Sequence, residues 1–521
     1  MPTVTGNDEK QLPPETSDEA RTRFWIVASF WAVILFLGLP HWIWTTSIHR
    51  SDLPLNAMDA WAAGSTCPML YPMGIRLSSA QLDVSIGKDL ASRVQTLLND
   101  KTDSAILDFR VSYEPYNDSW SVDPEWAMNV LLQQTGQITY GAKLDPVEPV
   151  LQIEYTATEV EGLASSIAKQ VHQIFAYEEQ SLSHLLKGVP FATGKELTLA
   201  PESQAVLDAR TTRVLKYSST YHITFSLVTS SAWPSGWEID KAIQQYMEPL
   251  ISALSNISQF TIDTQVHIHA SPSPSIPGPQ SDSAIKKWLL QHSDLSGFIN
   301  SAEWPLNPSI GTGPTVNFVL YIPSPEHSPL EIANGGTGWL IPQWGGVQIL
   351  NPKPGMTSLT VQDLEPVMLK FAEQLTSLVG VPPLPHSLAP RLSGLARERA
   401  SSLIISTSST LGALSRLTLK LTSIAIPDSV TAAVKEALSR LEHACRDIHT
   451  GKYDKALENA RIANDEAEHA FFEPSMVGQV YFPDEHKVAV YVPLLGPMSV
   501  PLIIAAIKQL KRLKEGKVKV E

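Results

Sequence analysis

The sequence predicts an α/β (α+β) body, a mixed β-sheet covered by helices and followed by a helical region, flanked by two transmembrane helices. Three observations carry this. Uncharged stretches of membrane length lie near both ends, at 24–49 and 488–507. Between them, strand-like segments alternate with helix-like ones up to about Leu388. Beyond Leu388 only the helical period continues.

The first stretch, FWIVASFWAVILFLGLPHWIWTTSIH, contains no Asp, Glu, Lys or Arg. A bilayer core about 30 Å thick takes roughly 20 apolar residues in a helix rising 1.5 Å per residue. Trp25, Trp42 and Trp44 suit the two water–lipid boundaries. A secretory signal peptide is the competing reading. The apolar run is too long for one, follows a polar acidic tail of 23 residues and lacks a clear small-x-small cleavage site, so residues 24–46 read as a retained anchor. The second stretch, 488–507, is equally free of charge but holds Pro493, Pro497 and Pro501. Each proline removes one N–H and clashes with the carbonyl four residues earlier. Four residues turn about 400°, so the three prolines share a narrow sector. That side of the span is expected to be kinked, its freed carbonyls satisfied by neighbouring helices, Ser499 or ordered water.

Orientation follows from the basic residues beside the spans. Arg21 and Arg23 precede the first; Lys508, Lys511, Arg512 and Lys514 follow the second, which places both short ends in the cytosol. The resulting plan is a cytosolic tail 1–23, a first transmembrane helix 24–46, a lumenal α/β domain 47–385, a lumenal helical region 386–487, a second transmembrane helix 488–507 and a basic cytosolic tail 508–521. The net charge is −14, and because the C-terminal tail is basic, the body between the spans is strongly acidic. Nucleic acid is therefore disfavoured as a partner. Asn117-Asp-Ser and Asn256-Ile-Ser are acceptors for N-glycosylation, whereas Asn307 is excluded by Pro308. Lys517 and Lys519 match the cytosolic dilysine pattern for retrieval to the endoplasmic reticulum, and also serve simply as a basic tail that holds the anchor; the two readings are compatible.

Inside the body, LDFRVSYEP (107–115) and VLQIEYTAT (150–158) read as half-buried strands and VEGLASSIAKQVHQIFAYEEQ as a helix. A strand at 221–230 leads to a helix from Trp237 with Ile239, Ile243, Tyr246, Leu250 and Leu254 on one face, then to a strand at 260–270. This β-α-β succession argues for a sheet covered by helices. A Pro- and Ser-rich loop at 271–282 separates these from strands at 316–324 and 338–352. Helices are expected near 388–406, 409–424, 428–450 and 452–472, with Asp428 able to cap the third and Gly451 to end it.

Only Cys67 and Cys445 are present, so the chain is no disulfide scaffold. Cys445 falls on the stripe Val430, Val434, Leu438, Leu441, Cys445, Ile448, which favours a buried thiol on a core face. A bridge to Cys67 in an oxidising lumen is the other reading, and sequence does not establish its geometry.

No catalytic, cofactor or metal motif emerges: there is no His-Glu-x-x-His, Gly-x-Ser-x-Gly, phosphate loop or paired Cys-x-x-Cys. Gly-Thr-Gly at 311–313 lacks a dinucleotide loop's strand-to-helix context. His267 and His269 share a strand face, but a third metal ligand at recognisable spacing is missing. His443 and Cys445, two apart on a helix, face away from each other and form no dyad.

The segments YHITFSL, WEIDKAIQQYMEPLISAL, FTIDTQVHIHA, VNFVLYIPSPEHSPLEI, PQWGGVQIL and VAVYVPLLGPMSVP, in this order, together with GLPHWIWTTSIHRSDLP after the first anchor, resemble the PIG-S family, the S subunit of the glycosylphosphatidylinositol (GPI) transamidase. The resemblance covers nearly the whole chain and rests on the order of the segments. It implies a non-catalytic subunit in the endoplasmic reticulum membrane, in a complex that replaces a precursor's C-terminal signal with a GPI lipid. It also implies partners: a PIG-K-like cysteine-protease subunit, PIG-T-like, PIG-U-like and Gaa-type subunits, and membrane lipid. It supplies no catalytic residues. In that context Pro493, Pro497 and Pro501 mark either a helix-packing face toward other subunits or a kinked anchor that readjusts locally. Trp339 and Trp344, among the glycines of 335–346, are either interface anchors or tryptophans tucked under a turn. The rival classes are a membrane-anchored lumenal hydrolase or transferase, which requires a pocket of convergent titratable groups, and a free-standing membrane tether.

Overall fold

The computed structural model describes residues 16–511, apart from 39, 42–43, 45–48, 101–105, 118–119, 124, 136–140, 157–159, 192–198, 271–278, 283–286, 299–312, 334, 422–423, 477–488, 490–492, 494–495 and 498. Its helices and strands confirm a mixed α/β chain with a helical C-terminal region. The chain falls into two compact units: Met1–Pro54 with Ala413–Val434 and His469–Glu521, and Leu55–Gly412 with Lys435–Glu468.

In the first unit, helix α1 (Ser17–Val33) continues through a π turn, Ile34–Gly38. Trp25, Phe30, Phe36 and Leu37 on it are exposed. Among the described residues one helix is long and apolar enough to cross a membrane, Arg21–Gly38. The expected second span lies partly outside the described residues; 499–511 are helical, as are Pro493, Gly496 and Pro497.

Among the described residues the second unit holds two five-stranded sheets and two smaller ones. After α2 (Leu55–Ala62), the first comprises β1 (Tyr71–Ser79), β2 (Leu107–Tyr113), β3 (Met128–Gln134), β4 (Ala142–Leu144) and β5 (Val150–Tyr155). Their order is β2-β1-β3-β5-β4, parallel except for the β4–β5 edge pair. β1 is buried along almost its whole length, so period-two alternation, the signal of a half-buried strand, is missing there. Between β1 and β2 runs α3 (Val84–Asn99), whose Leu90, Val94 and Leu98 recur every four residues and are buried. Gly87 on α3 lets the helix approach the Tyr113 ring, where a Cβ would sit 2.4 Å from ring carbons. Beside α3 packs α4 (Val160–Leu186). α5 (Pro201–Arg213) follows.

The second sheet, in order β13-β14-β11-β6-β8, is built from β6 (Thr220–Thr229), β8 (Gln259–His267), β11 (Thr315–Ile322), β13 (Gly338–Ile341) and β14 (Gly345–Ile349). It is parallel except for the β13–β14 hairpin at one edge. A two-stranded pair, β7 (Gly236–Trp237) with β15 (Ser358–Leu359), and a three-stranded sheet of β9 (Gln280–Asp282), β10 (Lys287–Leu290) and β12 (Leu330–Ile332) complete the strands. Connecting β7 to β8 is α6, which begins at Ile239, two residues after the expected start at Trp237, because Trp237 pairs on β7; it passes through a π turn at Ile243–Met247 to end at Leu254. Pro249 follows that turn, and the wider turn relieves the clash of a proline inside a helix. α7 (Val361–Val379) packs Phe371 against Phe318 and Phe225 of the sheet, with ring centroids 4.8 and 5.9 Å away. Each such buried side chain stabilises the fold by about 1.5–3 kcal/mol. Gly380 ends α7 in the left-handed conformation (φ 90°).

The helical region consists of α8 (Leu388–Lys420), α9 (Asp428–His449) and α10 (Tyr453–Phe471). The expected break between 406 and 409 does not exist: α8 is one continuous helix. Thr407 is buried there and its Oγ1 donates to the Leu403 carbonyl at 2.7 Å, so a hydroxyl-rich run that reads as a break is sheltered within the helix by bonding back to it. Arg50 donates to the carbonyls of Thr418, Leu421 and Ile424 at 2.9–3.0 Å, a cation satisfying the orphan acceptors of a helix C-terminus. Asp428 opens α9, its carboxylate accepting from Ser51 and approached by His49 at 3.1 Å, and the Ser51 bond first, then His49, holds it below the usual carboxylate range. Gly451 ends α9 with φ 75°.

Val430, Val434, Leu438, Leu441, Cys445 and Ile448 are all buried on α9, as their spacing predicts. The free-thiol reading is nevertheless overturned. Cys67 and Cys445 form a disulfide, with Cα atoms 5.9 Å apart and a sequence separation of 378. The same helix stripe that faces the core faces the lead-in to β1, which no local pattern reveals. Closing so long a loop removes much unfolded-state freedom, so Cys67→Ser with Cys445→Ser is expected to lower stability by about 2–5 kcal/mol. Denaturant titration of the purified chain measures this, and mass spectrometry after alkylation should find both cysteines unlabelled until the protein is reduced.

Candidate functional site

Among the described residues, the densest polar chemistry is a seam where α4, α5, α8 and α10 meet beside the first sheet. Its source is the run Leu395-Ala-Arg-Glu-Arg-Ala400 on α8. Consecutive helical residues point 100° apart, so three adjacent charges reach three different neighbourhoods.

Arg397 is fully buried. Its Nε and Nη2 donate to the two carboxylate oxygens of Glu178 on α4, the second at 2.9 Å, and its guanidinium lies 4.7 Å from the centroid of Tyr453 on α10. Burial works against the charge of Arg397, but the Glu178 carboxylate beside it more than compensates, holding the guanidinium above its ordinary value. Tyr453 donates to the Pro72 carbonyl of β1 at 2.6 Å, and the Tyr71 hydroxyl meets Ser401 Oγ at 2.5 Å. Burial pushes both phenols well above the usual tyrosine range.

Glu398 turns toward α5. Both its oxygens accept from Arg210, at 3.1 and 2.6 Å, and Arg210 also donates to Ser181 Oγ (3.0 Å) and the Gly380 carbonyl (3.1 Å). Arg399 turns the third way. It donates to the Val379 carbonyl at 2.8 Å and lies 5.5 Å from the Tyr217 ring centroid, while its Nε is enclosed without an acceptor. Burial lowers its affinity for the proton. A cavity of about 520 Å³ opens here, lined by Leu207, Arg210, Leu215, Lys216, Tyr217 and Arg399 among others. His184 lies on its wall 3.4 Å from Asp208, and the neighbouring Ser181 Oγ accepts from Arg210. The lining as a whole is cationic: Arg210 is matched by Glu398, whereas Arg399 and Lys216 add charge without a matching carboxylate among the described residues.

The residues that sequence reasoning singles out lie elsewhere. Asn117 is exposed after β2, and Asn256 is exposed in the turn between α6 and β8. Pro493, Pro497 and Pro501 are helical and exposed, and Ser499 Oγ donates back to the Gly496 carbonyl at 3.2 Å. Lys517 and Lys519 lie outside the described residues. Trp339 sits on β13 opposite Val347, Trp344 closes the β13–β14 hairpin, and both are half-buried against the core of Val319, Ile341 and Val347. Gln343 beside them adopts φ 59° and donates through Nε2 to the Thr212 carbonyl at 3.2 Å. The seam itself escapes sequence reasoning, although charges flanked by alanine in a helix otherwise rich in Leu, Ile and Ser are a legible signal for buried ion pairs.

Fold and site together define a mixed α/β chain with an apolar N-terminal helix and a buried polar seam in place of a recognisable catalytic constellation among the described residues. The profile of the family described as phosphatidylinositol-glycan biosynthesis class S protein matches residues 29–516, and the chain belongs to that family. It is 28% identical over 521 residues to the Schizosaccharomyces pombe "GPI transamidase component PIG-S homolog", covering 96% of this chain and 86% of the relative. It is 26% identical to the Saccharomyces cerevisiae "GPI transamidase component GPI17", covering 92% and 90% respectively. With the Bos taurus "GPI-anchor transamidase component PIGS" it shares 32% identity over 338 residues, 59% of this chain and 60% of the relative.

Replacing one partner of a buried pair strands the other charge. Arg397→Met is expected to cost about 3–5 kcal/mol, and the double change Glu178→Leu with Arg397→Met to recover most of it. Denaturation midpoints of the three proteins test this; a single variant as stable as the parent would show that the pair does not hold the seam.

Proposed function

We propose that this chain is a subunit of the GPI transamidase that serves assembly of the complex, the bond-making cysteine residing on another chain. The observation that carries the reading is the family match over 29–516, together with two fungal relatives named as transamidase components that align with more than nine-tenths of the chain. In this reading the complex cleaves a precursor's C-terminal signal and joins the new carboxyl end to a GPI lipid. The partners are a PIG-K-like protease subunit and PIG-T-like, PIG-U-like and Gaa-type subunits in the endoplasmic reticulum membrane.

The proposed topology keeps both spans, 24–46 and 488–507, with both termini cytosolic and residues 47–385 and 386–487 lumenal. The apolar helix Arg21–Gly38 supports the first span. Exposed acceptors at Asn117 and Asn256 and the Cys67–Cys445 disulfide support an oxidising, glycosylating compartment on the body's side. Lys517 and Lys519 would then read as the retrieval signal. Membrane contacts with the other subunits are assigned to the proline sector, and lumenal ones to the uncovered parts of Trp339 and Trp344.

Purification of the tagged chain from its native membrane in gentle detergent, followed by mass spectrometry, should recover a cysteine-protease-like subunit with the other transamidase components. Recovery of the chain alone, in a detergent that preserves the complex when another subunit is tagged, would sink the assignment. Replacing Pro493, Pro497 and Pro501 together by alanine is expected to leave membrane insertion intact and reduce co-purification. Undiminished co-purification would show that the prolines are local features of the anchor.

A further inference from the structure

The cavity of about 520 Å³ between α4, α5 and α8 has the make-up of a binding site rather than a packing defect. Its volume falls within the range of small-molecule pockets, which combine apolar walls with a few convergent polar groups. Leu207, Leu215 and the Tyr217 side chain supply the apolar wall. Arg210 is spent: Glu398, Ser181 and the Gly380 carbonyl take up its donors. Arg399 is not. Among the described residues no carboxylate lies within ion-pair distance of it, and its enclosed Nε has no acceptor. Lys216 stands exposed on the same wall, likewise without a carboxylate partner among the described residues. Arg399 lines the cavity half-buried and without a carboxylate among the described residues, so the desolvation cost of its charge is uncompensated and an anion in the cavity would offset it. This occurs in a chain whose net charge is −14, so the general field of the protein does not explain a cationic lining.

We propose that this cavity binds an organic phosphate monoester, its phosphate held by Arg399 and Lys216 and its carbon body laid against Tyr217, Leu207 and Leu215. Phosphate is favoured because its several acceptor oxygens can take N–H donors from a guanidinium and an ammonium at once. An organic ester is favoured over inorganic phosphate because the cavity exceeds one phosphate several-fold and the larger share of its lining surface is apolar. Such an ester can be a soluble metabolite or the headgroup of a lipid.

The test uses the intact complex purified in detergent and the reactivity of Lys216 toward an amine-acetylating reagent, quantified by peptide mass spectrometry. Three probes are titrated: inorganic phosphate, phenyl phosphate, and phosphatidic acid in mixed micelles. Phenyl phosphate should protect Lys216 at a concentration about tenfold lower than inorganic phosphate, reflecting burial of the ring. Protection by phosphatidic acid with none by phenyl phosphate would support the site with a lipid source. Arg399→Gln should raise the half-protecting concentration about 10- to 100-fold, the worth of a charged hydrogen bond. Absence of protection by all three probes on the unaltered complex would overturn the proposal, and that measurement requires no variant to fold. Equal protection by inorganic and phenyl phosphate would overturn the ester assignment and leave an adventitious ion only.

Discussion

Two fully buried charges, Arg397 on α8 and Glu178 on α4, set the terms for much of the second unit. Neither can move toward water without stranding the other in a low-dielectric interior, and both oxygens of Glu178 accept N–H groups from one rigid fork. The pair therefore fixes more than the separation of two helices. Because a helix rotates 100° per residue, pinning Arg397 pins the directions of Glu398 and Arg399 as well. The Arg210 contact and the opening of the cavity thus follow from a choice made one and two residues away.

The aromatic groups around the pair extend that constraint to the first sheet. Tyr453 of α10 covers the guanidinium and donates to Pro72, so a helix near the C-terminal end of the chain is tied to the first strand. Tyr71, next to Pro72, reaches Ser401, one turn beyond Arg397 on α8. Ser401 in turn donates to the Arg397 carbonyl at 2.7 Å, so the tyrosine contact is anchored in the α8 backbone. Polar satisfaction here is almost complete, and this is the condition under which a buried polar network gives a unique arrangement rather than a soft one.

How much of this was legible depends on the range of the interaction. The α9 stripe, the β6–α6–β8 succession and the helix end at Gly451 are local patterns, and each appears where its spacing predicts. β1, a strand buried on both faces, has no alternation to detect, and the buried hydroxyls of α8 look like a break. The disulfide and the seam are long-range: Cys67 meets Cys445, and Glu178 meets Arg397 across 219 residues. Nothing in the residues near Cys67 encodes its partner, and the α9 stripe by itself points to a buried thiol. Trp339 and Trp344 show a related limit, since glycines around a tryptophan do not reveal whether the ring faces solvent or, as here, lies half-buried against a sheet core.

The Cys67–Cys445 bond also has a direction in time. A chain is made from its N-terminus, so Cys67 exists without its partner until 378 further residues have been added. At roughly 5–20 residues per second, that wait is on the order of tens of seconds. Both five-stranded sheets and all of α8 are synthesised within it. Closure of this single bond is thus possible only once both five-stranded sheets and α8 exist, so the cross-link records that the unit it staples has been made up to its last helix, α10.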